Sequence, residues 1–260
     1  MCIETNVLLH LPLNNFSFYA FVFGATLVQY NLHYIIKATA NPGSARLAWS
    51  VHNRNIHRFF LLLGLILIII SMLSFHLRHL LLLLFIGLVA FLYSFPFLPF
   101  RGKKRIKDFG LLKIITLSLL WTLVTVWFPI VESPFAIISF QLVFLRRFIF
   151  IFILCLLFDI RDVPVDKAEN INTLPVRMGM AKAYSLAYSL LFFFTMLNVV
   201  QVIRIAEYPQ FWAMMISALA TFFIIRKSRN NRNDLYYLAA VDGMMILQAL
   251  LVLAGETYLH

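Results

Sequence analysis

The sequence is poor in charged residues and in cysteine, and each shortage excludes a class of protein. Only 13% of the 260 residues are charged and 62% are hydrophobic, whereas a soluble domain is about a quarter charged. This apolar excess is too large for one packed core and indicates an integral membrane protein. The two cysteines, Cys2 and Cys155, are too few for a disulfide framework. The first 15 residues lack the basic start of a secretory signal.

The apolar residues form blocks of about 20 residues, the length that crosses a hydrocarbon layer. Two blocks, at 61–70 and 80–93, contain no charged residue. Lipid offers no hydrogen-bond partner to the backbone, so each span should be a helix. The predicted fold is therefore an all-α, polytopic transmembrane helical bundle formed by residues 1–260 as a single domain. We predict about eight spans, at 16–36, 59–75, 79–97, 110–130, 136–158, 181–204, 211–226 and 236–254.

The basic residues lie mainly in alternate loops, which therefore share one side of the membrane. The loops 37–58, 98–113, 159–183 and 226–235 hold 18 Lys and Arg, whereas the opposite loops hold Arg78 and Arg204. Basic loops face the cytoplasm, so we predict a cell (inner) membrane protein with both termini outside. The same rule explains the net charge of +11 without a nucleic-acid partner.

Three carboxylates follow the fifth predicted span, in the stretch FDIRDVPVDKAENINTLPVRMG at 158–179. Asp159, Asp162 and Asp166 are spaced by three and then four residues, which places side chains on one face of a helix. Pro164 disfavours helical geometry at the residue before it. We therefore expect the helix to end near Val163, with Asp166 in a turn or in a new short helix.

Clustered carboxylates need a cation to offset their mutual repulsion. Magnesium binds to one or two carboxylates together with the phosphate oxygens of a substrate, and nearby basic residues can hold the remaining oxygens. The neighbouring cations are Arg161, Lys167 and Arg177. From spacing alone, a magnesium diphosphate site and a solvated loop with internal ion pairs are equally supported.

The stretch resembles the second aspartate motif of the UbiA superfamily of intramembrane prenyltransferases. That motif, D-x-x-D-x-x-x-D, a basic residue and then T-L-P-V-R-x-G, is matched by Asp159, Asp162, Asp166, Lys167 and the run from Thr173 to Gly179. The resemblance implies that the three aspartates are catalytic and hold Mg²⁺. It also implies that Lys167 and Arg177 contact a prenyl diphosphate.

A second segment resembles the same family. YSFPFLPFRGKKRIKDFGLLK at 93–113 is similar to a tyrosine–serine–proline segment of the family that is followed by diphosphate-binding basic residues. Lys103, Lys104 and Arg105 are the candidates by position. Their alternative role is that of a positive-inside loop with no ligand.

The first aspartate motif of the family, N-D-x-x-D, is incomplete in this chain. The corresponding segment is QYNLHYIIK at 29–37, in which Asn31 fits the asparagine but Leu32 and Ile35 replace the aspartates. Asn31 is therefore a candidate diphosphate contact, whereas half of the expected metal site is missing. The family usually has nine spans, so the chain resembles a member that has lost the first helix. The resemblance covers roughly residues 16–254.

Three charged residues lie in the interior of predicted spans, at least six residues from either end. Asp242 is in the last span, where an acid is costly and faces a protein interior or cavity. We expect a hydrogen-bonded structural role for it, with added charge at the aspartate site as the alternative. Arg146 and Arg147 are about 18 Å along a helix from Asp159, and we expect them to reach the outer interface or to pair inside the bundle.

Two functional hypotheses follow, and a third has less support. The first is a transferase that uses Mg²⁺ and moves a prenyl group from a prenyl diphosphate to a lipophilic acceptor, for example an aromatic, quinone-type ring. The alternative is a catalytically degenerate relative that binds a lipid or a partner without turnover, as Leu32 and Ile35 suggest. A transporter would need charged residues deep in several spans, of which the sequence has few.

Overall fold

The computed structural model describes residues 1–40, 45–94, 110–133, 137–168, 171–205 and 208–257. All regular secondary structure in these ranges is helical, with no strand, which confirms the all-α prediction. The contacts between Cα atoms divide the chain into two compact units, one of residues 1–12 and 82–260 and the other of residues 13–81. The single-domain assignment stays a prediction.

A helix lies at each of the eight predicted spans. The helices in chain order are α1 (Cys2–Leu8), α2 (Phe16–Ala40), α3 (Ala45–His52), α4 (Arg54–Met72), α5 (Leu77–Ser94), α6 (Gly110–Thr122), α7 (Phe128–Ile130), α8 (Ile137–Ala168), α9 (Leu174–Met178), α10 (Met180–Ile205), α11 (Tyr208–Ser228), α12 (Asp234–Tyr236) and α13 (Gly243–Thr257). Two π-helical turns, Leu123–Trp127 and Tyr237–Val241, join α6 to α7 and α12 to α13.

Within the described ranges, five helical segments are long and apolar enough to cross a membrane, and these identify an integral membrane protein. They are Arg54–Met72, Gly110–Ile130, Met180–Arg204, Tyr208–Ser228 and Asp234–Glu256. The segment Leu77–Tyr93 is apolar but shorter. The total of eight spans stays a prediction.

The unit of residues 13–81 is built on the packing of α2 along α4. The two helices meet at a pair of glycines, where a Cβ atom on Gly64 would lie 2.7 Å from the Gly24 carbonyl oxygen. A Cβ atom on Gly24 would lie 2.8 Å from the Gly64 carbonyl oxygen. Small residues of this kind allow the backbones of membrane helices to approach closely.

The other unit is organised around α8, which packs against α6 and α10, while α11 packs against α10 and α13. Six consecutive residues of α8, from Ile149 to Leu154, are all buried. A helix that is apolar on every side lies inside a bundle, so α8 forms the centre of this unit. Its last turns carry the three aspartates.

The short helix α1 is buried in the same unit, next to the first π-helical turn. Pro129 has no N–H to donate to the carbonyls one turn earlier in the chain. Side chains of α1 lie at these groups: Thr5 Oγ1 donates to the Thr125 carbonyl at 2.7 Å, and Cys2 Sγ lies 3.7 Å from the Val124 carbonyl oxygen. The α1 helix therefore compensates for a proline defect in its neighbour.

Arg146 and Arg147 each bind a polar partner inside the bundle, which is one of the two outcomes expected from the sequence. Arg147 donates to the Glu4 carboxylate at 2.9 Å, and Arg146 donates to Asn198 Oδ1 at 2.5 Å. All four side chains are buried. A buried charge is tolerated only when it is paired and hydrogen-bonded, so α1 also neutralises Arg147 within the bundle.

Candidate active site

The three aspartates lie on one continuous helix, because α8 runs through Pro164 to Ala168. The expectation that the helix ends near Val163 is therefore wrong. Proline removes one backbone donor and costs about 3 kcal/mol in a helix interior, but it is tolerated in membrane helices where neighbours satisfy the freed groups. Buried packing of Val163 and of Asp166 on the following turn stabilises the helix beyond Pro164. Asp159 and Asp166 are consequently two helical turns apart on one side of α8.

Asp159 is buried, with 3% of its surface exposed, and forms an ion pair with Lys113 of α6. The distance from Lys113 Nζ to Asp159 Oδ1 is 2.7 Å, while Asp159 Oδ2 is buried without a hydrogen-bond partner among the described residues. Asp159 lies beyond the predicted span 136–158. Burial raises the pKa of its carboxyl to about 6, although the Lys113 ammonium opposes this rise. One carboxylate oxygen is therefore available to a second cation.

Asp166 is held by the segment that follows α8. Its Oδ2 accepts a hydrogen bond of 3.0 Å from Thr173 Oγ1, and its backbone carbonyl accepts one of 2.8 Å from the Ile171 N–H. Thr173 is the residue before α9, a position where threonine usually caps the helix, but here it makes no side-chain cap. The hydroxyl of Thr173 orients Asp166 instead.

The remainder of the matched motif forms a short helix and a turn. Pro175 occupies the first turn of α9, where a missing N–H has no cost. Gly179 separates α9 from α10. Its φ is 84°, a value that residues other than glycine rarely adopt. Lys167 and Arg177 are exposed. Both basic residues are therefore accessible at this end of α8, as a diphosphate-binding role requires.

Asp162 is half-buried and belongs to a different set of contacts. Arg161 donates to both oxygens of Asp162, at 2.7 and 3.2 Å, and lies 3.3 Å from an oxygen of Asp234. Its guanidinium also stacks over the rings of Phe158 and Tyr237, at 5.0 and 5.2 Å. These contacts fix the Arg161 guanidinium between two carboxylates and two aromatic rings.

The aspartates interact electrostatically but do not form a closed metal site. Asp162 and Asp166 are near enough to Asp159 for their charges to affect it. The oxygens of the three residues, all within the described ranges, are nevertheless not within 4.8 Å of one another. One ion could not contact all three in this arrangement. Hard carboxylate oxygens suit Mg²⁺, and the unpartnered Asp159 oxygen is consistent with a cation there.

Two residues of α6, Gly110 and Lys113, also contribute to the site, although the matched motif does not include them. Lys113 is the ion-pair partner of Asp159. A Cβ atom on Gly110 would collide with the backbone of Asn172 and Thr173, so only glycine lets α6 begin against the segment that holds Asp166. The detectable signal was that Lys113 is the one charged residue of the predicted span 110–130.

Tyr93 and Asp242 also lie near the site. Tyr93 lies in the neighbourhood of Asp159, and Asp242 lies in the neighbourhood of Arg161. Asp242 directly follows the second π-helical turn, a feature that is frequent at functional sites. Both expected roles of Asp242, the hydrogen-bonded structural role and added charge at the aspartate site, stay predictions.

The remaining sequence candidates lie elsewhere. Asn31 belongs to the unit of residues 13–81, where its Oδ1 is 2.7 Å from His57 Nδ1 and its Nδ2 donates to the Leu27 carbonyl. Its polar atoms therefore have partners within that unit, and its diphosphate-binding role stays a prediction. The basic residues Lys103, Lys104 and Arg105 lie outside the described residues.

The family model described as the UbiA prenyltransferase family matches residues 47–236, nearly three quarters of the chain. No curated protein sequence matches the chain significantly.

Two solved structures share the fold. One, described as digeranylgeranylglyceryl phosphate synthase in membranes, aligns with a TM-score of 0.59 and 17% identity, over 97% of this chain and 89% of that one. The other, a UbiA homologue from Archaeoglobus fulgidus bound to Cd²⁺, aligns with a TM-score of 0.57 and 17% identity, over 93% and 86%. The fold match thus covers nearly the whole chain.

Proposed function

We propose a reaction for this chain on one premise: it belongs to the UbiA prenyltransferase family. The proposed reaction transfers a prenyl group from a prenyl diphosphate to a lipophilic acceptor within the membrane. The carbon–oxygen bond to the diphosphate breaks, the acceptor nucleophile bonds to the prenyl carbon, and the acceptor loses a proton. The proposed acceptor is lipophilic, and an aromatic ring of the quinone type is the candidate for it.

The observation that carries this proposal is the acidic end of α8. Asp159 has one oxygen on Lys113 and one buried oxygen that has no partner in the part of the chain that the structure describes. Asp166 is oriented by Thr173, and Asp162 is half-buried beside Arg161. Three ordered carboxylates at the end of an apolar helix are costly unless a cation compensates them. We infer that this arrangement serves the binding of a metal diphosphate.

The proposed metal ion is Mg²⁺, held by Asp159, Asp162 and Asp166. Bound there, it would supply positive charge to the departing diphosphate. The aspartates are not gathered closely enough for one ion to contact all three, so binding would require a side-chain movement or two aspartates with water. The Cd²⁺ ion of the Archaeoglobus homologue supports a divalent ion in a protein of this fold.

The basic residues would hold the diphosphate and neutralise its charge. Lys113 is already at the carboxylates, and Lys167 and Arg177 are exposed at the same end of α8. Lys103, Lys104 and Arg105 are the further candidates. Charge-assisted hydrogen bonds from lysine and arginine to phosphate oxygens are about twice as strong as neutral ones. Exclusion of water by the surrounding apolar helices would strengthen these contacts.

One specific observation favours a second candidate, a non-catalytic family member. Lys113, a cation of the chain itself, offsets the charge of Asp159, and Leu32 and Ile35 stand where the family carries two further aspartates. A chain of this kind would keep the bundle and bind a lipid or a protein partner. Both candidates place the aspartates at the cytoplasmic face of the cell membrane, because the segment that carries the aspartates is one of the basic loops.

Magnesium-dependent binding of an unreactive prenyl diphosphate analogue tests the proposal. We expect the purified protein to bind the analogue only with Mg²⁺, and Asp162→Asn to weaken binding at least about tenfold, the effect of one lost charge-assisted contact. Asp234→Asn is the matched control, because Asp234 also contacts Arg161 but lies outside the motif. Equal binding by both variants, or binding independent of Mg²⁺, would contradict the proposed site.

A further inference from the structure

A groove on the surface of the larger unit lies apart from the aspartates. It has a volume of about 450 Å³ and is lined by Ala181, Ser185, Tyr188, Ser189, Phe192 and Arg229. The first five residues share one face of α10, and Arg229 follows the end of α11. The groove therefore follows α10 from its first turn towards its middle, at the contact with α11.

The polar end of the groove is formed by a positioned cation. The guanidinium of Arg229 lies 5.1 Å from the ring centre of Tyr184 and 5.4 Å from that of Tyr188. Cation–π contacts of this kind hold a guanidinium in place while leaving its N–H groups available. Arg229 makes no ion pair with a carboxylate among the residues that the structure describes. Its charge is thus oriented but not neutralised there.

The hydroxyl groups of Ser185 and Ser189 line the groove beside this cation. They are four residues apart on α10, so they lie on the same face one turn from each other. Both side chains are exposed, and no hydrogen bond is seen from either hydroxyl to a described residue. Together with Arg229 they offer donors that suit the oxygens of a phosphate.

The other end of the groove is apolar and open to the surroundings of the bundle. Phe192 lines it and is 63% exposed. The neighbouring ring of Phe222 from α11 packs against Tyr188, with 5.4 Å between ring centres. Both helices are apolar enough to span a membrane, so these aromatic rings face lipid. The groove thus joins a cationic end to a lipid-facing apolar end.

The electrostatic surroundings favour an anion. Neither α10 nor α11 contains an acidic residue, whereas Lys182, Arg226 and Lys227 lie in the turns next to the groove. Basic pockets between membrane helices bind the head groups of anionic lipids. A free phosphate would use only the polar end, while a phospholipid also covers the exposed Phe192.

We propose that this groove binds one anionic phospholipid, with its phosphate on Arg229, Ser185 and Ser189 and an acyl chain along Phe192. The site contains none of the three aspartates and does not depend on the proposed transfer reaction. We assign it a structural role as a lipid site.

Native mass spectrometry of the purified full chain, with phosphatidylglycerol or phosphatidylcholine added to delipidated protein, tests this site. We expect tighter binding of phosphatidylglycerol and about a tenfold loss of its affinity in Arg229→Gln, the loss typical of one charge-assisted contact. Arg232→Gln is the matched control, because it removes the same charge from the same loop but does not line the groove. It should change the affinity less than twofold.

Two further samples separate the specific site from general attraction. Arg229→Lys keeps the charge but loses the planar guanidinium that stacks on the tyrosines, so we expect an affinity between those of the wild type and Arg229→Gln. Size-exclusion profiles confirm that each variant is folded. Equal losses in Arg229→Gln and Arg232→Gln, or no preference for phosphatidylglycerol, would overturn the proposal. Competition by inorganic phosphate at equal concentration would also overturn it, because the ligand would then be a free phosphate.

Discussion

The ion pair between Lys113 and Asp159 should be a major contributor to the stability of the acidic end of α8. The two charged atoms are 2.7 Å apart, and Asp159 is buried while Lys113 is one-quarter exposed. Hydrogen bonds to charged groups contribute about 1.5–3 kcal/mol. Because Lys113 is partly solvated, we expect a coupling energy of about 2 kcal/mol between the two side chains.

The single substitution Lys113→Met should cost more than the coupling energy. It leaves the buried carboxylate of Asp159 without compensation, and the second oxygen of Asp159 already has no partner. Removing one member of a buried pair typically destabilises a protein by about 3–5 kcal/mol. We expect a loss of about 3 kcal/mol in the free energy of unfolding, at the lower end because of the exposure of Lys113.

A double-mutant cycle measures both quantities. The free energy of unfolding would be determined in mixed micelles by titration with a denaturing detergent, for the wild type, Lys113→Met, Asp159→Asn and the double variant. Lys167→Met is the matched control, because Lys167 is an exposed lysine of α8, and it should change stability by less than about 0.5 kcal/mol. A coupling energy below about 0.5 kcal/mol, or equal effects of the two lysine substitutions, would refute the reasoning.

Two further stability predictions test the packing of each unit. Thr5→Val should destabilise the protein by about 1–2 kcal/mol, because it leaves the buried Thr125 carbonyl without the Thr5 hydroxyl as donor. The control Thr195→Val affects a bond within its own helix and should change the thermal midpoint far less. Gly64→Ala should lower the free energy of unfolding by about 1–3 kcal/mol, because its Cβ atom would collide with the α2 backbone. The control Gly87→Ala lies where the space is open and should be tolerated in the same thermal assay.

The positions of the helices could be predicted from the sequence because they depend on local apolar blocks. Each predicted span falls on a helix, with ends that differ by up to about ten residues. The largest difference is at α8, which extends past the predicted end at 158 to Ala168. The sequence rule for the residue before a proline concerns local sterics, whereas burial of Asp166 and its bond to Thr173 depend on tertiary contacts.

The candidate site was only partly predictable for a related reason. The spacing of Asp159 and Asp166 is compatible with a shared helical face, but Pro164 led to the wrong expectation that the helix ends between them, and the structure places both on α8. The partner of Asp159 could not be deduced, because Lys113 is 46 residues away and only the packing of α6 against α8 brings them together. The burial of Glu4 beside Arg147 likewise depends on a contact between distant segments.

The most direct test of the central claim is pyrophosphate release from prenyl diphosphates of several chain lengths. The assay uses the purified protein in lipid, Mg²⁺, a lipid extract as the source of acceptor, and the Asp162→Asn and Asp234→Asn variants. We predict release that requires Mg²⁺, persists in Asp234→Asn and falls at least about 100-fold in Asp162→Asn, as expected for loss of a charge-stabilising group. Absence of release from every donor, together with absence of Mg²⁺-dependent donor binding, would contradict the account and favour a non-catalytic family member.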